Sequence, residues 1–321
     1  MTLELKKSSW LMLLTMLIFA FLVFLTSCGE NTGSTLTVDE QAIQADIEED
    51  ADEIYGIDIM GEDDPSSFSK ADGTFEAIDP IAYGRRLRNH QVERRSLEIE
   101  VSEDGQTATS TISFLLRGQF VIRDRDTSTD TKGIYLKPFE HLMQRKATFV
   151  RNQDTTIDRK WLRTSITPAY GVSKNGTMSL TGDIHIAVTH ADQSVSNYTI
   201  SSDPLTTLFN AETLPTITPG DVVKVEVSIA NSDAADDPYG IIHRGRHAQP
   251  LSRLKQLFFD DGTHNDATAD DGIYTTQWTV PNNGIMGYHL GVVDFFTTST
   301  IFDDTLPYNS LVVAFPYNKL Q

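Results

Sequence analysis

Along much of the chain apolar and polar residues alternate with a period of two, the spacing that puts every second side chain on one face of a β-strand. Leu97, Ile99 and Val101 share one such face, and Glu103-Asp104-Gly105 supplies a turn into a second strand over residues 107–123. In that run Ile112, Phe114, Leu116, Phe120 and Ile122 fall on one parity, together with Gly118. The run exceeds the usual strand of about five or six residues, so Gly118 is expected to mark a bend or bulge that curves the sheet. Residues 124–132 read as a polar loop, 139–151 as a third strand and 161–167 as a fourth. Ahead of these strands lies a stretch with helical spacing. Thr37-Val38-Asp39-Glu40 fits a capping box, in which the Thr hydroxyl and the Glu side chain satisfy each other's backbone amides. Ile43, Ile47, Ala51 and Ile54 then share one helical face, and Gly56 is a natural stop.

From Gly176 the strands shorten. Ile184, Ile186 and Val188 alternate, as do Val223, Val225, Val227 and Ile229 after the Thr218-Pro219-Gly220-Asp221 turn. Further strands are expected at residues 253–259, 273–280, 287–296 and 310–315. About seven short strands separated by turn residues suit an Ig-like β-sandwich. Residues 231–250 then form a loop of about 20 residues, which is unusually long for a compact domain. The expected class is therefore α+β followed by all-β: an N-terminal helix with a curved antiparallel sheet over residues 37–175, then an Ig-like β-sandwich over 176–321. The helix followed by a meander of long strands resembles the NTF2-like and cystatin-like α+β folds. That likeness covers residues 37–171 by pattern, without a diagnostic motif, and it licenses no activity.

The N-terminal stretch has another character. Lys6 and Lys7 precede an apolar run over residues 10–25 that ends in Leu25-Thr26-Ser27-Cys28. A basic start, a short apolar core and small residues before a cut describe a secretory signal, and the run is shorter than the roughly 20 residues of a spanning helix. Leu-Thr-Ser-Cys resembles the lipobox of bacterial lipoproteins. The resemblance implies a signal peptide over residues 1–27, lipidation of Cys28, a tether over 28–36 and a place in the bacterial cell envelope. Gly29 differs from the Asp that resembles an inner-membrane retention signal, which points to the outer membrane.

Charge narrows the partners. The 321-residue chain carries a formal charge of −19, which argues against nucleic acid, since that polymer is held by Lys and Arg on its phosphates. The single cysteine excludes an intramolecular disulfide and any Cys-based zinc site. Acidic residues crowd the segment from Glu30 to Asp64, and the sign then reverses at Arg85, Arg86, Arg88, Arg94 and Arg95. Two readings of this basic segment stand: it packs near the acidic helix, or it binds an anion.

Candidate chemistry is sparse. Residues 260–274 resemble the DDGxxxDxxxxDGxY signature of bacterial Ig-like and fibronectin-like surface domains. Gly262 and Gly272 permit positive φ, and the Asp side chains can cap nearby amides. The alternative is a structural calcium, which seeks six to eight oxygen ligands; Asp261, Asp266 and Asp270 are then the first choices. Arg244, Arg246 and His247 are expected in an exposed basic loop that touches an anionic partner. His185 and His190 fall on opposite strand faces and do not read as ligands, while Trp161 and Trp278 are candidates for the core or for stacking on sugar rings. There is no GxSxG, HExxH or Walker pattern, and no catalytic residue is assigned. The expectation is an envelope lipoprotein held by its lipidated Cys28 that binds a protein or glycan without catalysis. A hydrolase using a pocket in the α+β part and a purely structural envelope component are the alternatives.

Overall fold

The alternation becomes antiparallel sheet, and the capping box becomes a helix start. In the computed structural model residues 36–49, 62–63, 77–87, 94–128, 132–154, 156, 159–245 and 254–321 are described. The signal segment, the tether with Cys28, and Ala51, Ile54 and Gly56 lie outside them, as do Arg246 and His247. Within residues 36–41 the Thr37 amide donates to Glu40 Oε2 at 2.6 Å and the Glu40 amide to Thr37 Oγ1 at 3.2 Å. Both orphan amides at the start of helix α1 (Val38–Glu49) are thereby satisfied.

Residues 42–321 form one compact unit. It is mostly β-sheet, with curled antiparallel sheets. Strands β1 (Glu62–Asp63), β2 (Pro80–Leu87), β3 (Arg94–Val101), β4 (Thr107–Asp124), β5 (Ile134–Arg151), β6 (Trp161–Ile166) and β7 (Ala169–Ser173) come first. Then follow β8 (Met178–Leu180), β9 (Ile184–Thr189), β10 (Val195–Ile200), β11 (Thr216–Ile217), β12 (Val222–Asn231) and β13 (Pro238–Gly245). The series ends with β14 (Leu254–Leu257), β15 (Ile273–Thr279), β16 (Gly287–Thr297), a short helix α2 (Thr298–Phe302) and β17 (Ser310–Lys319). One 12-stranded sheet runs β1-β2-β4-β5-β7-β17-β16-β13-β14, with β3 also on β4, β6 on β5 and β11 on β17; a five-stranded sheet runs β10-β9-β12-β15, with β8 also on β12. Because β7 pairs with β17, strands from both sides of residue 175 share the larger sheet.

The long β4 and β5 pair without a break from Thr107↔Val150 to Arg123↔Ile134. Gly118 therefore marks no bulge. It lies where the free edge of β4 changes partner, with β3 covering Ala108 to Leu115 and β2 covering Gly118 to Asp124. A Cβ at this position would stand 1.9 Å from the Arg86 carbonyl oxygen, so the close approach of β2 requires glycine. A second correction concerns residues 231–250. Residues 238–245 are strand β13, hydrogen-bonded to β14 and β16 on its two edges, rather than part of a long exposed loop.

The larger sheet is buried on both faces along β16 and β17. Val292, Phe296, Val312 and Ala314 join a first core with Ile43, Ile47, Phe120, Phe149 and Trp161. Their neighbours Val293, Phe295, Leu311, Val313 and Phe315 join a second core with Ile186, Val188, Val225 and Val227 of the smaller sheet. Strands covered on both sides read as continuous apolar runs, as Leu311 to Phe315 does. On the first-core side Phe120 lies 5.6 Å from Tyr83, 5.4 Å from Phe296 and 5.3 Å from Tyr308 between ring centroids. Beside these rings Arg85 of β2 grips Asp294 of β16 through two hydrogen bonds of 2.5 and 2.7 Å. Asp46 of α1 pairs with Arg159 at 3.1 Å.

An alanine in place of a strand glycine ordinarily stabilises by about 0.5–1 kcal/mol. Gly118→Ala should do the opposite and lower the unfolding free energy by about 1–3 kcal/mol, as overpacking does, read from the urea midpoint. Arg85→Met should cost about 3–5 kcal/mol because it leaves Asp294 buried without a counter-charge. The double variant Arg85→Met/Asp294→Leu should recover most of that loss; if it recovers none, the pair does not act as a unit.

Candidate functional site

The interior of the curled sheet holds polar groups, and those around Arg85 bond to one another. Arg85 donates through Nε to the Tyr308 hydroxyl at 2.6 Å and through Nη2 to Ser310 Oγ at 2.8 Å, besides its two bonds to Asp294. Burial alone would lower the Arg85 pKa; Asp294 and Tyr308 outweigh it and keep the guanidinium protonated. Burial and the Arg85 charge push His141 down to about 3, so it stays neutral. A groove of about 860 Å³ opens beside this region, lined by Arg117, Glu140, Lys174, Leu136 and Tyr308 among others. Its acid is already committed: Arg117 Nε lies 2.6 Å and Lys174 Nζ 3.3 Å from Glu140, and the bond from Arg117 holds that carboxyl below its usual range.

A second cleft, of about 320 Å³, is built differently. It lies at one end of the second core, where β13, β15, β16 and β17 run out. Arg244 follows Ile242 on the same face of β13, so the row of core side chains ends in a guanidinium. Arg244 is only 8 % exposed. Its guanidinium carbon sits 4.0 Å from the centre of the Trp278 ring, a cation–π contact. Nη2 reaches Gln256 Oε1 at 3.4 Å, and Gln256 is oriented by donating to the Gln277 carbonyl at 2.7 Å. Among the described residues Nε, which is enclosed, has no hydrogen-bond partner. Among the described residues no carboxylate pairs with Arg244, and burial pushes its pKa down to about 10.

The rest of the cleft is aromatic and aliphatic. His289 stacks on Tyr317 with centroids 5.3 Å apart, and its Nε2 bonds to the Ile285 carbonyl at 2.8 Å. Leu254, Val280 and Ile285 complete the apolar wall. Lys319 also lines it, but its Nζ donates to the carbonyls of Pro281 at 3.0 Å and Asn283 at 2.7 Å. The arrangement can hold an apolar ligand that carries an acceptor for Arg244.

The sequence-level candidates are distributed as follows. Arg244 is a binding candidate in both readings, yet it stands buried in β13 and not on an exposed loop; strand pairing on both edges of β13 is the reason. Trp278 joins it in the cleft, whereas Trp161 is 1 % exposed in the first core. In the acidic loop the carboxylates that converge are Asp260, Asp266 and Asp271, with oxygens within 4.8 Å of one another. Of the expected ligands Asp261, Asp266 and Asp270, only Asp266 belongs to that set. The acids chiefly cap the backbone. Asp266 accepts from the Gly262 amide at 2.7 Å, and Asp260 from the amides of Asp271 at 3.1 Å and Gly272 at 2.9 Å. Asp261 accepts from Thr263 at 2.8 Å and meets His264 Nδ1 at 2.7 Å, while Asp270 supplies a positive φ of 58°.

One arrangement was not legible at all. His190 lies 3.1 Å from Asp221 through Nδ1 and 2.9 Å from Ser196 through Nε2. Asp221 also accepts from the Thr218 amide at 2.7 Å, so the series ties the β9–β10 hairpin to the Thr218–Asp221 turn. Neither His190 nor Ser196 lines either of the clefts above. No protein-family model matches the chain, and neither does any curated protein or any solved structure.

If the acidic loop is turn chemistry, Asp266→Ala strands the Gly262 amide and should cost about 1–3 kcal/mol. That loss should be the same with calcium and with chelator in a thermal melt. A loss confined to the calcium sample would reassign the loop to metal binding.

Proposed function

We propose that this chain is a lipid-anchored protein of the bacterial cell envelope that acts as a non-catalytic binding module, with the Arg244–Trp278 cleft as its ligand site. The anchoring half of the reading rests on Leu25-Thr26-Ser27-Cys28 and its resemblance to a lipobox. The C-terminal strands, in this reading, form an Ig-like sandwich whose end presents the cleft. One observation carries the binding half: a guanidinium that is buried, stands 4.0 Å over an indole, is unmatched by any carboxylate among the described residues, and lines an open cleft. Buried charges in proteins are ordinarily paired, so an unmatched one beside an opening suits an acceptor that arrives from outside.

The hydrolase alternative finds less support. Aromatic rings fill the interior of the curled sheet, and the acid of the neighbouring groove is engaged by two cations. A general acid or base needs a pKa near the working pH; Glu140 is shifted away from it and His141 lies far below it.

A photo-reactive residue at Leu254, which is exposed at the cleft, tests the proposal in the native envelope against a control at Val195, which is equally exposed but lines neither cleft. Position 254 should give a dominant adduct that position 195 lacks. Equal labelling at both positions, or none at 254, would remove the cleft as the binding face.

A further inference from the structure

The proposed cleft leaves open what it recognises, and the following inference rests on that reading. A guanidinium recognises partners in two ways, through its flat face and through the fork of N–H groups in its plane. In Arg244 the guanidinium carbon stands 4.0 Å over the centre of the Trp278 ring. Of the in-plane donors, Nη2 makes only a long bond to Gln256, and the enclosed Nε makes none among the described residues. Paired in-plane donors match the two oxygens of a carboxylate.

The walls limit what can carry that carboxylate. Trp278, Tyr317, Leu254, Val280 and Ile285 offer apolar surface, and the other cation present, Lys319, has turned two of its three donors to the carbonyls of Pro281 and Asn283. One forked cation in an apolar cleft suits a single negative charge on an apolar body. A sugar acid needs several hydroxyl partners, of which the described lining offers few beyond Asn283, and a phosphate dianion needs several donors at once. We propose that Arg244 binds, through its in-plane donors, the carboxylate of a small acid whose ring or aliphatic body lies against Trp278, Tyr317 and Ile285. Desolvation of the guanidinium strengthens such a contact, because attraction between charges grows as the surrounding dielectric falls.

Calorimetric titration of the full chain in detergent, with benzoate, its neutral isostere benzamide, glucuronate and inorganic phosphate, tests this directly. Benzoate should bind saturably, with benzamide, glucuronate and phosphate each at least about tenfold weaker, the lower end of what one charge-assisted hydrogen bond contributes. Arg244→Gln should weaken benzoate about 10- to 100-fold. Arg244→Lys should lose most of that affinity too, since it keeps the charge and loses the fork. Thermal melts check that both variants fold; if Arg244→Gln does not, Arg244→Lys and the benzoate-to-benzamide ratio of the unaltered chain decide. Benzamide binding as tightly as benzoate, phosphate binding more tightly, or an Arg244→Gln variant that binds benzoate normally would each overturn the carboxylate assignment. So would silence from all four probes. In every such case adducts from position 254 would keep the cleft as the binding face, and their absence would mean that the underlying reading has failed as well.

Discussion

The two hydrogen bonds between Arg85 and Asp294 set the shape on which the rest of the structure depends. Between β2 and β16 the larger sheet interposes β4, β5, β7 and β17. At about 4.8 Å per strand, those two strands would lie roughly 24 Å apart in a flat sheet. Direct contact between their side chains is possible only if the sheet curls until one end faces the other. Removing both charges from water costs most of what their attraction returns, so the pair contributes less to net stability than to the choice of arrangement. An apolar residue at position 85 would find company among Phe120, Phe296 and Tyr308 in many registers. A forked cation facing a carboxylate, with Tyr308 and Ser310 filling its other donors, accepts one.

That curl gives β16 and β17 two covered faces, and the faces have different fates. The inner face closes on aromatic rings and on the Arg85 network, and its polar groups are largely spent on one another. The outer face meets the smaller sheet, and where that layer ends the side chains of β13, β15 and β17 are left around a cleft. Two buried arginines mark the contrast. Arg85 has a carboxylate, a phenol and a hydroxyl on its donors; Arg244 has an indole on its face, one long bond to an amide and an idle Nε. The first arginine is matched within the chain. The second is matched only if something comes from outside.

How far this could be read from the residues follows from the range of each signal. Short-range patterns were legible. Thr37 and Glu40 announce the helix start, and the parity of Ile112 to Ile122 announces the buried face of β4. Strands 254–257, 273–279 and 287–297 fall close to where alternation and turn residues place them. Long-range consequences were not. Gly118 reads as a bulge because its real reason, the Arg86 carbonyl, belongs to another strand. β13 is hidden because Pro238, Gly240 and Gly245 punctuate it and Arg244 looks like a surface residue. Its strand character comes from partners on both edges, one of them some fifty residues later in the chain. The cleft was half legible. Arg244 and Trp278 each stand out by type, but only the β13–β16 and β12–β15 registers bring them together.

The charge of the whole chain bears on how such a cleft can work. A formal charge of −19 makes the long-range field repel an anion, although at physiological salt that field fades within about 8 Å of the surface. Inside the cleft the balance is reversed: among the described residues Arg244 and Lys319 are the Arg and Lys lining it, and no Asp or Glu does so. Recognition is therefore short-range, and a small acid is admitted where an anionic polymer, which must lie along the acidic exterior, is kept out. The same separation explains how one chain can be strongly acidic overall and still place a cation, unmatched among the described residues, in a cleft with apolar walls.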